Sequence, residues 1–354
     1  MSTQQSEVNM SSHFEVKFSS DNRRNGELVT DSGNLPTPLV VHSASISRYL
    51  NTKQIVATGT KALFCDPIQL AEELGERDLE QLPNMKQLLN WEGLLFATPG
   101  ADEISKLAKP RGYKKDGVNF RLPSSGQLEK VTPQGAIDLQ KKIGADVIGE
   151  LYRNVDYYAP VDDLAAGVTT TNSWRLNEKD TLLPINGGGL KELHEESIAA
   201  LNEQGLGYFI TQVDQVDTTA EEERDLLSIL ALLPTDKLRV TKVKANLEQL
   251  KVALHSGIDI VYSDVAAHEA KMGNAIVEDG KRLNIDRAHF GSDYQPIEEG
   301  CQCPVCSSRV TRAYLYYLSK THAPQIESLL LEHNLYWLNR YVGNFQLANN
   351  RSEN

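Results

Sequence analysis

The sequence predicts an α/β protein: a (β/α)8 TIM-like barrel with a C-terminal zinc-binding subdomain. From about residue 40, short apolar strands alternate with helices of about 10–15 residues, a pattern typical of parallel βα units. These units continue over about 220 residues, which favours a closed barrel over an open sheet. After residue 275 the chain becomes polar, and clustered cysteines followed by two apolar helical stretches indicate a metal-binding unit.

The 354 residues therefore divide into four predicted segments. They are a disordered tail at 1–12, the barrel at 13–275, the zinc-binding subdomain with the C-terminal helices at 276–346, and a second disordered tail at 347–354. Residues 14–35 contain the turn Asp31-Ser-Gly-Asn, and we expect them to form a small antiparallel lid.

The predicted barrel strands are short apolar runs, at Leu39–Ser43, Gly93–Ala97, Ala145–Leu151, Leu182–Ile185, Gly207–Thr211, Lys237–Thr241 and Ile258–Tyr262. Helices are predicted between or after them, at Pro133–Ile143, Gly189–Gln204, Asn246–His255, Thr311–Ser319 and Gln325–Phe345, the last two strongly apolar. In the second of these helices, apolar residues recur at helical spacing on one face, which is the periodicity of a helix packed on a sheet.

Composition and charge narrow the class of protein. The chain is 40% hydrophobic and its net charge is −12, which argues against a non-specific nucleic-acid coat protein. Two basic stretches, 106–115 and 237–244, are either local binding patches or solvated surface. No apolar run approaches the roughly 18 residues of a membrane helix, and the first residues lack the pattern of a signal peptide. We therefore expect a cytoplasmic protein with no membrane partner.

Three cysteines, Cys301, Cys303 and Cys306, lie within one short segment. The remaining cysteine, Cys65, is far away in the sequence. In a cytosolic chain such a cluster indicates a metal site rather than a disulfide framework.

Three thiolates need a fourth ligand to complete a tetrahedral zinc site. His322 and His333 both lie downstream of the cysteines. His333 is one helical turn from Leu329 and from Trp337, so an apolar helix face can present it inward. With His333 the site has no open position, which predicts one structural Zn²⁺ per chain.

Three motifs follow one another near the C-terminus: Cys-x-Cys-x2-Cys, Thr311-Arg-Ala-Tyr-Leu-Tyr-Tyr-Leu, and His333-Asn-Leu-Tyr-Trp. Together they resemble the end of the tRNA-guanine transglycosylases (queuine tRNA-ribosyltransferases), in which that His is the fourth zinc ligand. Weaker similarity extends over residues 14–345. The resemblance implies exchange of guanine in a tRNA anticodon for a 7-deazaguanine base. It also implies an Asp nucleophile and a second Asp as general acid/base.

The two catalytic positions depart from the family pattern. The acid/base Asp of the family corresponds to Ala97, and its nucleophile corresponds to Tyr262. Asp264 lies on the same face as Tyr262 if the strand continues, and a local shift would bring it to the nucleophile position. Asp102 or Glu103 would then act as the acid/base.

The base-binding positions depart as well. The base-contacting Asp of the family corresponds to Tyr152, and the Gln of its Val-Gln-Gly-Gly corresponds to Asn186, while Gly187 and Gly188 are kept. The Gly-Gly-Leu segment that lines the base pocket becomes Thr211-Gln212-Val213. Side chains at these positions would crowd a guanine-sized base.

Two surfaces are candidates for contact with partners. The anticodon-contacting Arg residues of the family correspond to His268 and Lys271, of which Lys271 can still contact a tRNA phosphate. The C-terminal helices are rich in aromatic residues that suit either a dimer interface or packing on the barrel. These residues are Tyr314, Tyr316, Tyr317, Tyr336, Trp337 and Tyr341.

Three functions remain open from the sequence. The first is a divergent, non-catalytic paralogue that forms a homodimer, or a heterodimer with a catalytic family member, as the accessory subunit of the family does. The second is an active base-exchange glycosyltransferase that uses Asp264 as the nucleophile on tRNA or another nucleic acid. The third is an unrelated barrel enzyme that uses Asp162, Asp163, Asp214 and Asp217, which are otherwise surface acids.

Overall fold

The computed structural model describes residues 12–20, 23–75, 79–201 and 205–351. The predicted disordered tail at 1–12 lies outside the described residues except for Ser12, and residues 352–354 of the second predicted tail also lie outside them.

The strands of the described residues are, in chain order, β1 His13–Ser20, β2 Arg23–Thr30, β3 Gly33–Thr37, β4 Leu39–Ser43, β5 Ala62–Cys65, β6 Leu94–Ala97, β7 Tyr113–Lys114, β8 Gly117–Arg121, β9 Leu128–Val131, β10 Ile148–Gly149, β11 Thr181–Ile185, β12 Gly207–Ile210, β13 Leu238–Lys242, β14 Ile260–Tyr262, β15 Asn274–Val277 and β16 Lys281–Asn284.

The α-helices of the same residues are α1 Thr52–Ala57, α2 Pro67–Leu74, α3 Met85–Leu89, α4 Ala101–Leu107, α5 Pro133–Lys142, α6 Val161–Trp174, α7 Lys191–Ala199, α8 Thr219–Leu230, α9 Leu247–His255, α10 Val265–Lys271, α11 Pro304–Ser307, α12 Arg312–Lys320 and α13 Gln325–Arg351. Among the described residues, none of these helices combines the length and apolarity that crossing a bilayer requires.

A parallel sheet in the order β10-β11-β12-β13-β14-β4-β5-β6 forms the barrel. Its two ends meet through a parallel bridge between Phe96 and Val147. The predicted (β/α)8 barrel is therefore confirmed. The sequence did not reveal β5, because Ala62–Cys65 is only four residues long and is buried without alternation.

Alternate strand residues face opposite sides of the barrel wall. Val41, Phe64 and Tyr262 belong to the interior cluster. Val40 and Leu63, their neighbours in sequence, belong to the larger cluster that includes residues of the surrounding helices. The barrel thus has a packed interior, and its chemistry is confined to the ends of the strands.

The sheet β1-β2-β3 closes the N-terminal end of the barrel. Leu28 and Leu35 join the interior cluster beside Leu39, where β4 begins. Arg24 Nε lies 2.8 Å from Asp259 Oδ1, and both side chains are at most 2% exposed. The antiparallel lid expected at 14–35 is thus a three-stranded sheet that extends to Thr37.

The C-terminal helix α13 extends beyond the predicted end of the folded chain. The sequence predicted a disordered tail at 347–354, and this prediction is wrong for residues 347–351, which are helical. Asn349 is 2% exposed and its Nδ2 donates to Asn25 Oδ1 at 2.9 Å, which anchors the last turns against the N-terminal sheet. Contacts distant in sequence therefore order a polar segment that has no apolar pattern of its own.

Candidate functional site

The four predicted zinc ligands come together in the structure. Cys301, Cys303, Cys306 and His333 are all buried, and their ligand atoms lie within 4.8 Å of one another. Cys303 lies at the N-cap of α11, where its Sγ accepts a hydrogen bond from the backbone N–H of Cys306 at 3.3 Å. His333 lies on α13, so the cluster joins the cysteine loop to the C-terminal helix.

The spacing of these atoms suits a tetrahedral ion. From His333 Nδ1, the Sγ atoms of Cys301, Cys303 and Cys306 are 3.9, 3.4 and 3.6 Å away. Zinc with ordinary Zn–S and Zn–N distances places sulfur and nitrogen about 3.6 Å apart. The other ring nitrogen, Nε2, lies 2.9 Å from the carbonyl oxygen of Ile276, which favours the tautomer that leaves Nδ1 free for a metal. The residues present therefore fit Zn²⁺.

The mouth of the barrel, at the C-terminal ends of the strands, is the second candidate site. Tyr262, which the sequence predicts to stand at the nucleophile position, is stacked on Phe64 with ring centroids 5.0 Å apart. Phe209 and Phe96 approach the same ring at 5.8 and 5.9 Å. The cavity lined by Tyr262, Phe209 and Ala97 measures about 10 Å³. It holds about one water molecule and has no room for a purine.

Lys242, the last residue of β13, places its ammonium among carboxylates at the mouth. Its Nζ lies 3.1 Å from Asp102 Oδ2 and 3.5 Å from Asp214 Oδ2. The other oxygen of Asp102 accepts hydrogen bonds from Tyr152 Oη at 2.8 Å and from Asn154 Nδ2 at 3.1 Å. Asp102, a candidate acid/base, is therefore bound by three donors of the chain itself.

Electrostatics keep this lysine protonated. Burial lowers the pKa of the Lys242 ammonium. The negative charges of Asp102 and Asp214 raise it by more, so the pKa lies above its ordinary value. Burial raises the pKa of Asp214, and Lys242 opposes that shift. A protonated amine cannot attack a carbonyl or take up a proton, so the arrangement neutralises acids and does not activate a nucleophile.

The side chain of Gln212 bonds to Gly187 and Gly188, the two glycines that follow β11. Its backbone has φ of 66°, a conformation in which glycine is the most favoured residue. Its Oε1 accepts hydrogen bonds from the N–H groups of Gly187 and Gly188 at 3.1 and 3.0 Å. Its Nε2 donates to the carbonyl oxygen of Val155 at 2.6 Å. The N–H groups of Gly187 and Gly188 are thus already bonded to this carboxamide, and crowding of a base by Thr211–Val213 stays a prediction.

Asn186, predicted to bind the base, turns its amide toward the outer helices. Its Nδ2 donates to Thr171 Oγ1 at 3.1 Å, and its Oδ1 accepts from Ser197 Oγ at 3.3 Å. The side chain is 4% exposed, so its polar atoms need such partners. Tyr152, the other predicted base contact, is bonded to Asp102 as described. Neither side chain presents a free polar group at the mouth.

Asp264 does not occupy the strand position that a continued β14 would give it. The strand ends at Tyr262, and Asp264 is the N-cap residue of α10. Its Oδ1 is buried and has no hydrogen-bond partner among the described residues. Burial raises the pKa of this carboxyl, and Lys242 opposes the shift.

The remaining candidate acids do not form one site. Asp217 is exposed and pairs with Lys244 at 2.7 Å, whereas Asp214 belongs to the network around Lys242. Asp162 and Asp163 are exposed in the first turn of α6.

The predicted nucleic-acid contacts differ in their accessibility. His268 and Lys271 are exposed in the last turn of α10, and the stretch 106–115 keeps its basic side chains exposed. The stretch 237–244 forms no patch, because Arg239 is buried and Lys242 enters the mouth.

The sequence is similar to a known protein family over nearly its whole length. The sequence model of the queuine tRNA-ribosyltransferase family matches residues 20–348. The chain belongs to this family. Similar members include the queuine tRNA-ribosyltransferase of Prochlorococcus marinus (strain MIT 9211), 27% identical over 335 residues that cover 92% of this chain and 90% of the relative. That of Nostoc sp. (strain PCC 7120 / SAG 25.82 / UTEX 2576) is 26% identical over 338 residues, covering 92% and 90%.

Membership of the queuine tRNA-ribosyltransferase family confirms the resemblance read from the zinc motifs. Sequence reasoning did not assign a site role to Lys242 or to Asn154. One signal was available for Lys242, because a charged residue that ends a barrel strand points toward the functional face. Nothing in the sequence near Asn154 indicates that it bonds to a residue of α4.

Proposed function

We propose that this chain is a non-catalytic member of the queuine tRNA-ribosyltransferase family that acts in 7-deazaguanine tRNA modification as an accessory subunit. The observation that carries the proposal is that the chain's own side chains bond to the polar groups at the barrel mouth. Gln212, two residues after β12, and Lys242, the last residue of β13, place a carboxamide and an ammonium where a substrate would need free donors and free carboxylates. The remaining cavity at Tyr262 is about 10 Å³.

The chemistry of the mouth supports the same proposal. Ala97 offers no proton, and the buried phenol of Tyr262 has its pKa raised by burial, so it is a poor nucleophile at neutral pH. Asp102 is held by Lys242 and Tyr152, and proton transfer to a substrate would require breaking those contacts.

The scaffold outside the mouth suits a structural role. We propose that Cys301, Cys303, Cys306 and His333 hold one structural Zn²⁺ that fixes the cysteine loop to α13. On α12, Tyr314 and Tyr317 are 47% and 60% exposed. We propose that this aromatic pair contacts a catalytic family member, since exposed aromatic side chains are enriched at protein interfaces. Trp337 packs inward and stacks on Tyr341.

The test uses the zinc-loaded full chain, tRNA and radiolabelled guanine. We expect no incorporation by the chain alone, and a heterodimer on size-exclusion chromatography with the catalytic family member of the same organism. Tyr317→Ser should weaken that heterodimer about tenfold, as loss of an interface hot spot does. Leu128→Ser, which alters a similarly exposed side chain on β9, should leave it intact. Recovery of the chain only as a lone monomer in the presence of that partner would refute the proposal.

A second candidate function is base exchange with Asp264 as nucleophile. The observation that favours it is the buried, unpartnered Oδ1 of Asp264 beside the mouth network. The same guanine-exchange assay decides it: incorporation by the chain alone that Asp264→Asn abolishes would establish this function in place of the first. Glu248→Gln is the matched control, because Glu248 is exposed on α9 and pairs with Lys251 at 3.0 Å.

A further inference from the structure

A pocket of about 190 Å³ opens at the N-terminal end of the barrel, opposite the mouth. It lies between β2, the end of α8, β13 and the turn after α9. Its polar lining includes Ser19, Arg24, Thr235, Arg239 and Ser256, and α8 supplies an apolar side. Several cationic side chains therefore converge on one concave surface that the proposed function does not use.

Among the described residues that line this pocket, the arginine side chains outnumber the acidic ones. Arg24 donates from Nε to Asp259 Oδ1 at 2.8 Å, and its other nitrogens donate to the carbonyl oxygens of Thr235 and Lys237. The second oxygen of Asp259 accepts from the backbone N–H of Arg239 at 2.9 Å. Asp259 is thus bonded through both oxygens, and among the described residues its side-chain ion pair is with Arg24.

The second guanidinium, that of Arg239, has a nitrogen that the described residues leave without a hydrogen bond. This residue is only 8% exposed, and its Nε is buried without a hydrogen-bond partner among the described residues. Burial and the neighbouring charge of Arg24 lower the pKa of Arg239, and the charge of Asp259 opposes this shift only in part. An unpaired buried charge is costly unless a counter-charge accompanies it.

We propose that this pocket binds a phosphate group, with the planar fork of Arg239 as its principal contact. A guanidinium recognises phosphate oxygens through two parallel hydrogen bonds, which a lone ammonium cannot do. The hydroxyls of Ser19 and Thr235 at the rim supply donors from another side, as the tetrahedral arrangement of phosphate oxygens requires. The phosphate is either inorganic phosphate or the phosphate of a mononucleotide, and both share this chemistry.

The experiment is isothermal titration of the zinc-loaded full chain in a buffer free of phosphate and sulfate, with inorganic phosphate in one arm and GMP in the other. Sodium chloride of equal ionic strength controls for charge screening. We expect a dissociation constant of about 1 mM or tighter. Equal affinity in both arms assigns the site to the free anion, and tighter GMP binding assigns it to a nucleotide.

Two variants of Arg239 separate the contribution of its planar guanidinium from that of its positive charge. Arg239→Met should weaken binding at least about tenfold, and Arg239→Lys, which keeps the charge, should also weaken it several-fold. Arg121→Met, at the exposed last residue of β8, is the control and should bind like the parent. If Arg239→Met does not fold, Arg239→Lys and Ser19→Ala carry the test. Absence of binding in both arms up to about 10 mM, or unchanged affinity in the Arg239 variants, would overturn the proposal. Guanine-exchange activity has no bearing on either result.

Discussion

Glu222 provides the sharpest test of the electrostatics of this fold. Its side chain on α8 is 0% exposed, and neither carboxyl oxygen has a hydrogen-bond partner among the described residues. Burial raises the pKa of Glu222 from 4.5 to about 8. At neutral pH the folded protein therefore holds a proton that the unfolded chain releases.

The sign and size of the effect follow from this shift. Because the folded-state pKa is the higher one, the stabilising contribution is fully present below pH 4.5 and is lost as pH rises through about 8. Each pKa unit corresponds to about 1.4 kcal/mol, so the rise from pH 5.5 to 8 should cost about 3 kcal/mol of unfolding free energy. Glu222→Gln keeps the shape of the side chain and does not titrate, so its stability should lack this loss.

The assay is urea unfolding of both proteins across that pH range at constant zinc. The difference in unfolding free energy between Glu222→Gln and the parent should grow by about 3 kcal/mol toward pH 8. Glu223→Gln, at the exposed neighbouring position, should follow the parent within about 0.5 kcal/mol. Parallel curves for the parent and Glu222→Gln would show that the carboxyl is hydrated or paired, contrary to the reasoning.

Three further outcomes follow from other contacts. His333→Ala should lose bound zinc by plasma emission spectroscopy and unfold at lower temperature, and full zinc content in the variant would contradict the ligand assignment. Lys242→Met should lower the free energy of unfolding by about 2–3 kcal/mol because it leaves acids unpaired. Adding Asp102→Asn should restore at least about 1 kcal/mol of it, and a second loss of similar size would argue against the ion pair. Asn349→Ala should cost about 1 kcal/mol in urea unfolding whereas exposed Leu347→Ala should cost less than about 0.5, and equal values would mean that the end of α13 is not anchored.

The parts of the fold that the sequence predicted are those with local signals. Strand–helix alternation predicted the barrel, because each βα unit buries its own apolar stripe within a short stretch of chain. The spacing of Cys301, Cys303 and Cys306 predicted a metal cluster, since ligands so close in sequence can reach one ion. His333 followed from its place on an apolar helix face.

The features that the sequence left open depend on contacts between distant residues. Asp102 and Lys242 are 140 residues apart, and neither neighbourhood indicates that the two side chains meet. The direction of the Asn186 amide likewise depends on hydroxyls that two outer helices supply. Asp264 left the strand face because β14 ended two residues earlier.

By itself, the sequence predicted the family, the barrel and the cluster of Cys301, Cys303, Cys306 and His333 that could hold a metal ion. It also predicted that Ala97 and Tyr262 stand where the family has catalytic acids. Only the tertiary structure decided that Gln212 and Lys242 occupy the mouth, and that at the opposite end the buried Nε of Arg239 has no hydrogen-bond partner among the described residues. The physical reason is that hydrogen bonds and ion pairs depend on distances between atoms, which closure of the barrel sets and which residue spacing along the chain does not.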